Sequence, residues 1–189
     1  LESALHKAIE RNELVVHYQP KVDVRGACMV GAEALMRWNR GGKLISPSAF
    51  IPLAEESGLI MPLSEWVLQE AARQARIWQD RFGLGVSIAV NLPPRIFERT
   101  DLVELIQSAV SACGVAPSAI ELEITETGLM KELHNVIPTL HRLKQIGVQI
   151  AIDDFGTGYS SLAYLTTLPI SELKIDRSFI RELGVAPKS

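Results

Sequence analysis

Long apolar runs, paired cysteines and an excess of positive charge are all missing from this 189-residue chain, and each absence removes a class of function. No uninterrupted apolar stretch approaches the ~20 residues of a membrane span, so this segment is expected to make no membrane contact. The two cysteines, Cys28 and Cys113, stand alone and match neither a disulfide framework nor a zinc spacing, which fits reduced, structural thiols in the cytoplasm. The four histidines do not cluster, and no Ser-His or Cys-His pair is evident. With 19 basic against 22 acidic residues, the net charge of −3 leaves no footprint for a nucleic-acid polymer. An anionic substrate would therefore need local help, first of all from a metal ion. The chain opens Leu1-Glu2-Ser3, with neither an initiator Met nor a signal peptide, and is expected to be a piece of a longer protein.

What is present is alternation. Residues 3–12 read as a short helix, and 14–24 and 29–38 as strands joined by a turn at Arg25-Gly26, so a hairpin opens the fold. Ser46-Pro47 starts a helix in the preferred cap order; it stops near Gly58, and a longer helix runs from about 64 to 82, ended by Gly83. Strands are then predicted at 86–92, 120–125, 148–153 and 173–176, with helices at 101–113, 131–146 and 160–168 between them. Repeated βα units argue for a parallel sheet with helices outside. Either an open doubly wound sheet or a closed barrel produces this order, and the strand faces favour the barrel. Ile120, Leu122 and Ile124 alternate with Glu121, Glu123 and Thr125, and Ile150 and Ile152 alternate with Ala151 and Asp153. One face is thus apolar and the other small or polar, as in a barrel with a site at its mouth.

Glu33, Asn91, Glu123 and Asp153 fall on the inward face near the C-terminal ends of their strands. Four oxygen donors converging there suit an octahedral hard cation, Mg²⁺ or Mn²⁺. Asp154, beside Asp153, adds a carboxylate that lets the pair serve two metals, which together form a clamp for in-line attack on a phosphodiester. Any one of these residues could equally be a buried polar group held by hydrogen bonds. As a set they are harder to account for structurally.

The chain resembles the EAL family, the bacterial cyclic di-GMP phosphodiesterases. The resemblance runs in order through Tyr18-Gln19-Pro20-Lys21, Glu33-Ala34-Leu35, Asn91-Leu92-Pro93, Glu121-Leu122-Glu123-Ile124-Thr125-Glu126, the segment from Asp153-Asp154 to Ser161-Leu162, and Leu173-Lys174-Ile175-Asp176. It implies a TIM-like (β/α) barrel opened by a β-hairpin, with residues 1–189 one domain that ends before its last strands, about six being present. It implies Glu33, Asn91, Glu123, Asp153 and Asp154 as metal ligands of a two-metal Mg²⁺ or Mn²⁺ site. Glu33, Asp153, Asp154 and Lys174 become the catalytic set, with Lys174 near the attacking water or scissile phosphate; as a structural residue it would be a buried ion pair. Gln19 and Arg37 would bind the dinucleotide, and Glu126 would anchor the loop over residues 155–162, or else serve as a helix-start carboxylate.

The family carries a further metal-site glutamate and a glutamine on later strands, and nothing in residues 176–189 matches them. The expected activity is hydrolysis of cyclic di-GMP to linear pGpG, weakened in this chain by a poorly held second metal. The alternative is a cyclic di-GMP receptor that binds without hydrolysing. A homodimer and fusion to sensor or cyclase modules are the further partners considered, in a cytoplasmic protein whose parent is open to membrane anchoring.

Overall fold

The computed structural model describes residues 2–131, 133–157 and 165–182. A short α1 (Glu2–Leu5) leads through turns into β1 (Leu14–Asp23) and β2 (Cys28–Arg40), which pair antiparallel as the opening hairpin. β2 is longer than expected, because its far end folds back on a short β3 (Lys43–Ile45) that the sequence reading did not contain. α2 (Pro47–Ser57) and α3 (Ile60–Phe82) follow, then β4 (Ser87–Asn91), α4 (Leu102–Cys113) and β5 (Ile120–Thr125). The helix expected at 131–146 is α6 (Leu133–Gln145), and before it an α5 (Glu126–Lys131) that was not expected starts directly at the end of β5. β6 (Gln149–Phe155), β7 (Glu172–Ile175) and α7 (Arg177–Glu182) complete the described elements. Most of the helix expected at 160–168 lies outside the described residues.

The sheet order is β1-β2-β4-β5-β6-β7, with β3 on β2, and β2, β4, β5, β6 and β7 run parallel. Its alternation decides the layering. Ile88, Val90, Ile120, Leu122, Ile124, Ile150 and Ile152 are fully buried, or nearly so, in one cluster with Val67, Leu68, Ala71 and Ala75 of α3 and Leu102, Ile106 and Val110 of α4. Burying one such aliphatic side chain is worth about 1.5–3 kcal/mol, so this face fixes the strand register. A second cluster joins Leu5, Trp38, Phe50, Ala54 and Leu63. Gly83 and Gly114 end α3 and α4 in the left-handed conformation (φ 63° and 65°), where a side chain would be strained.

On the opposite face the strands carry Ala89, Ala151, Glu121 and Glu123, all buried. This is the small and polar interior of a TIM-like barrel that is incomplete: among the described residues the sheet is open, with β1 and β7 as its edges. No helix among the described residues is long and apolar enough to cross a membrane.

Candidate active site

Strand pairing, with a two-residue stagger from β2 to β4 and from β5 to β6, brings the polar positions together. Glu33 of β2 is the cross-strand partner of Gln19 and, on its other side, of Ala89; Asn91 faces Glu123, and Thr125 faces Asp153. Glu33 is not at the end of its strand as expected. β2 runs on to Arg40, and only its parallel pairing with β4 finishes near Glu33, at Ala34–Val90.

Carboxylate oxygens of Glu33, Glu123 and Asp153 all lie within 4.8 Å of one another. Lys174 of β7 reaches into the group, its Nζ standing 2.7 Å from Glu123 Oε2, 3.2 Å from Glu33 Oε2 and 3.2 Å from Asp153 Oδ1. Asn91 Nδ2 donates to Glu33 Oε1 at 2.7 Å. Of the expected metal ligands, four therefore meet directly.

Glu123 is the centre of the group electrostatically. Its side chain is fully buried, and its Oε1 accepts no hydrogen bond although almost every buried polar atom in a protein has a partner. Burial pushes its carboxyl up to about 7, the Lys174 ammonium opposing and the charges of Glu33 and Asp153 adding to the rise. Burial alone would lower the pKa of Lys174, but its hydrogen bond to Glu123 and the charges of Glu123, Glu33 and Asp153 more than offset this and raise it, so Lys174 is a cation. A buried carboxylate oxygen that accepts no hydrogen bond, in a group of three carboxylates sharing the Lys174 ammonium, is a donor set that fits a hard divalent cation.

Neighbouring strand residues ordinarily point to opposite faces, so Asp153 and Asp154 need a local device to act together. The β6–β7 ladder slips between Ile152 and Phe155, and Asp154 takes a left-handed φ of 54°. Such bulges re-aim side chains beside active sites. Asp154 is exposed, and its carboxyl is raised by burial and by the charges of Asp153 and Asp176. Its backbone N–H donates to Asp153 Oδ1 at 3.0 Å.

Glu126 is buried and opens α5, and its Oε2 accepts the Gly156 N–H at 2.6 Å. The helix-start position and the tie to the loop are thus both present in one residue. The rest of that expected loop, residues 158–162, lies outside the described residues. Arg37 is not drawn into the carboxylates; its Nη1 donates to the Met36 carbonyl at 2.8 Å. Gln19 is exposed beside Glu33.

Three charged residues at this site carry no role in the sequence expectations, although two of them, Lys21 and Glu121, stand within the family motifs. Lys21 Nζ lies 2.6 Å from Glu121 Oε1 and 2.8 Å from Glu172 Oε1. Each stands two residues from a site residue on the same strand (Gln19, Glu123 and Lys174), and that spacing was the available signal.

The EAL domain family model matches residues 2–189. The chain is 49% identical over 181 residues to the bifunctional diguanylate cyclase/cyclic di-GMP phosphodiesterase MucR of Pseudomonas aeruginosa, spanning 95% of this chain and 26% of MucR. It is 44% identical over 189 residues to the signaling protein YkoW of Bacillus subtilis, spanning 100% of this chain and 24% of YkoW. The chain therefore covers about a quarter of the length of these relatives. A solved structure of the PaMucR phosphodiesterase in complex with c-di-GMP superposes with a TM-score of 0.90 at 48% identity, over 96% of this chain and 74% of that one. On the match across residues 2–189, and on the barrel and carboxylate mouth that accompany it, the chain belongs to the EAL domain family.

Proposed function

We propose that this domain hydrolyses cyclic di-GMP to linear pGpG. At family level the relatives support cyclic di-GMP phosphodiesterase chemistry or cyclic di-GMP binding. The observation that carries the catalytic reading is the buried Oε1 of Glu123, which accepts no hydrogen bond, within the Glu33–Glu123–Asp153 group.

Glu33, Asn91, Glu123 and Asp153 would hold one Mg²⁺ or Mn²⁺, and Asp153 with Asp154 a second. Such ions, when bound, neutralise charge on phosphoryl oxygens and lower the pKa of water. The chain's own residues prepare the rest. Asn91 fixes one oxygen of Glu33, leaving the other toward Lys174. Lys174 keeps a positive charge at the mouth, where a phosphate approaching three carboxylates needs it. Glu126 holds the Gly156 backbone and so the start of the loop after Asp154. Gln19, exposed beside Glu33, and Arg37, four residues along β2 on the same face, are the proposed contacts to the dinucleotide.

We also propose that the chain forms one barrel domain whose last strands follow β7. The open β7 edge supports this, with Leu173 and Ile175 exposed at 40% and 60%. Cytoplasmic action, fusion to sensor or cyclase modules and pairing with a second copy belong to the same proposal.

The test is incubation of the gene product that carries this chain with cyclic di-GMP and Mg²⁺ or Mn²⁺, with products separated by chromatography. Linear pGpG supports hydrolysis. Saturable binding of cyclic di-GMP with no product instead makes the domain a receptor.

A further inference from the structure

Beneath the carboxylate group lies a second polar level. Following the interior-facing positions, the upper level contains Gln19, Glu33, Asn91, Glu123, Asp153 and Lys174, and the level below contains Lys21, Gly31, Ala89, Glu121, Ala151 and Glu172. Three of the lower six are small and the other three form one ion-paired group. Gly31 faces Lys21 across the hairpin, and a Cβ there would stand 3.0 Å from the Ser87 carbonyl oxygen and 3.6 Å from Lys21 Cδ. Ala89 and Ala151 are fully buried. Together they leave the lysine a path across the interior.

Lys21 uses that path to join strands that do not touch as neighbours. It sits on β1, one edge of the sheet, and its ammonium meets Glu172 on β7, the other edge, at 2.8 Å. Midway it meets the buried Glu121 on β5 at 2.6 Å and comes within 3.8 Å of Glu123 Oε1. The β1–β2 register slips immediately after Lys21, which faces Gly31 while Val22 faces Met29. A bulge at that point is a device for aiming a side chain.

We infer that Lys21 is a positioning residue for the metal site: a strut that fixes β5 and β7 relative to each other, and through them Glu123 and Lys174. The inference rests on the metal-site reading given above. Position and charge make opposite predictions for its removal. A cation near a divalent ion opposes binding, so loss of charge alone tightens the ion. Loss of a strut lets Glu123 and Lys174 drift and weakens it.

The experiment measures Mn²⁺ binding without nucleotide, by the electron paramagnetic resonance signal of free Mn²⁺, alongside hydrogen exchange of peptides covering β7. In Lys21→Met, which keeps most of the side-chain volume, Mn²⁺ affinity is expected to fall at least tenfold and β7 amides to exchange faster. Lys21→Arg, which keeps the charge and reach, is expected to recover most of the affinity. Equal or tighter Mn²⁺ binding by Lys21→Met overturns the inference. Should Lys21→Met fail to fold, Glu172→Gln removes only the half-exposed arm of the strut. Faster β7 exchange in that variant then supports the inference, and unchanged exchange overturns it. A wild-type chain that binds no Mn²⁺ sinks the metal-site reading instead, and β7 exchange in the two variants still decides the strut.

Discussion

Lys174 and Glu123 form an asymmetric pair: the ammonium stands 2.7 Å from Glu123 Oε2, while Glu123 Oε1, equally buried, accepts no hydrogen bond. The lysine is thus counter-ion to a carboxylate whose other oxygen has only the more distant Lys21 ammonium, at 3.8 Å, and it shares its charge with Glu33 and Asp153. A purely structural ion pair would hydrogen-bond both oxygens, because a buried acceptor without a hydrogen bond costs about 1–3 kcal/mol.

Lys174→Met removes the single charge that three carboxylates share. The metal-free protein is expected to lose about 1–3 kcal/mol, less than a fully buried pair because the lysine side chain is 22% exposed. Mn²⁺ should then raise the melting temperature of the variant by more than that of wild type, since the ion supplies the missing positive charge. Thermal melts with and without Mn²⁺ check this, and equal metal-free stabilities would count against the shared-charge description.

Glu33→Ala takes away a carboxylate that is 20% exposed and held by Asn91 and Lys174. The fold should survive with a change of about 1 kcal/mol or less, because like-charge repulsion is relieved as the Asn91 bond is lost. Hydrolysis should fall at least about a hundredfold, as expected when a residue at a metal centre is removed. Circular dichroism and product chromatography on the same preparation separate the two effects; retained turnover would falsify the assignment of Glu33.

Much of this was legible in the sequence, and the reasons differ by element. Alternation of Ile120, Leu122 and Ile124 with Glu121 and Glu123 was enough to predict β5 with its observed bounds and to set Glu123 inward. Glu33 was harder. A strand that is parallel on one side and antiparallel on both the other side and its extension has no sequence mark for where one pairing ends, so β2 was read too short and β3 was not seen. α5 was hidden because it begins without a turn at the end of β5, so nothing in the sequence marks where strand gives way to helix. The Asp153–Asp154 bulge and the Lys21–Glu121–Glu172 strut depend on contacts across strands far apart in the chain, which periodicity within one strand cannot report.

Glu126→Gln tests the tie to the loop. The carboxylate accepts the Gly156 N–H at 2.6 Å, a charge-assisted bond that the amide replaces with a neutral one, at a cost of about 1 kcal/mol. Mn²⁺ affinity is expected to stay within about threefold of wild type, since Glu126 belongs to none of the carboxylates grouped around Lys174. Exchange of the Gly156 amide should accelerate. An unchanged exchange rate would mean that Glu126 does not hold this backbone.

Tyr18 supplies a pH dependence that lies apart from the carboxylates. Its ring packs edge-on against Trp78 with centroids 5.1 Å apart. Burial, with the charge of Glu70 adding and that of Arg73 opposing, pushes the phenol up to about 12. In the unfolded chain a tyrosine loses its proton near pH 10. Between these values the unfolded chain has released a proton that the folded chain retains, so stability falls as pH rises. The contribution of Tyr18 is therefore fully present below about pH 10 and is lost as the pH climbs toward about 12. Tyr18→Phe cannot ionise, and it should lose less stability than wild type over that window while matching it to within about 1 kcal/mol at neutral pH. Urea melts of both proteins at a series of alkaline pH values give the comparison directly. The lysines titrate in the same range in both, so the difference between the two curves isolates the phenol, and parallel curves would show that Tyr18 ionises as freely in the folded chain as in the unfolded one.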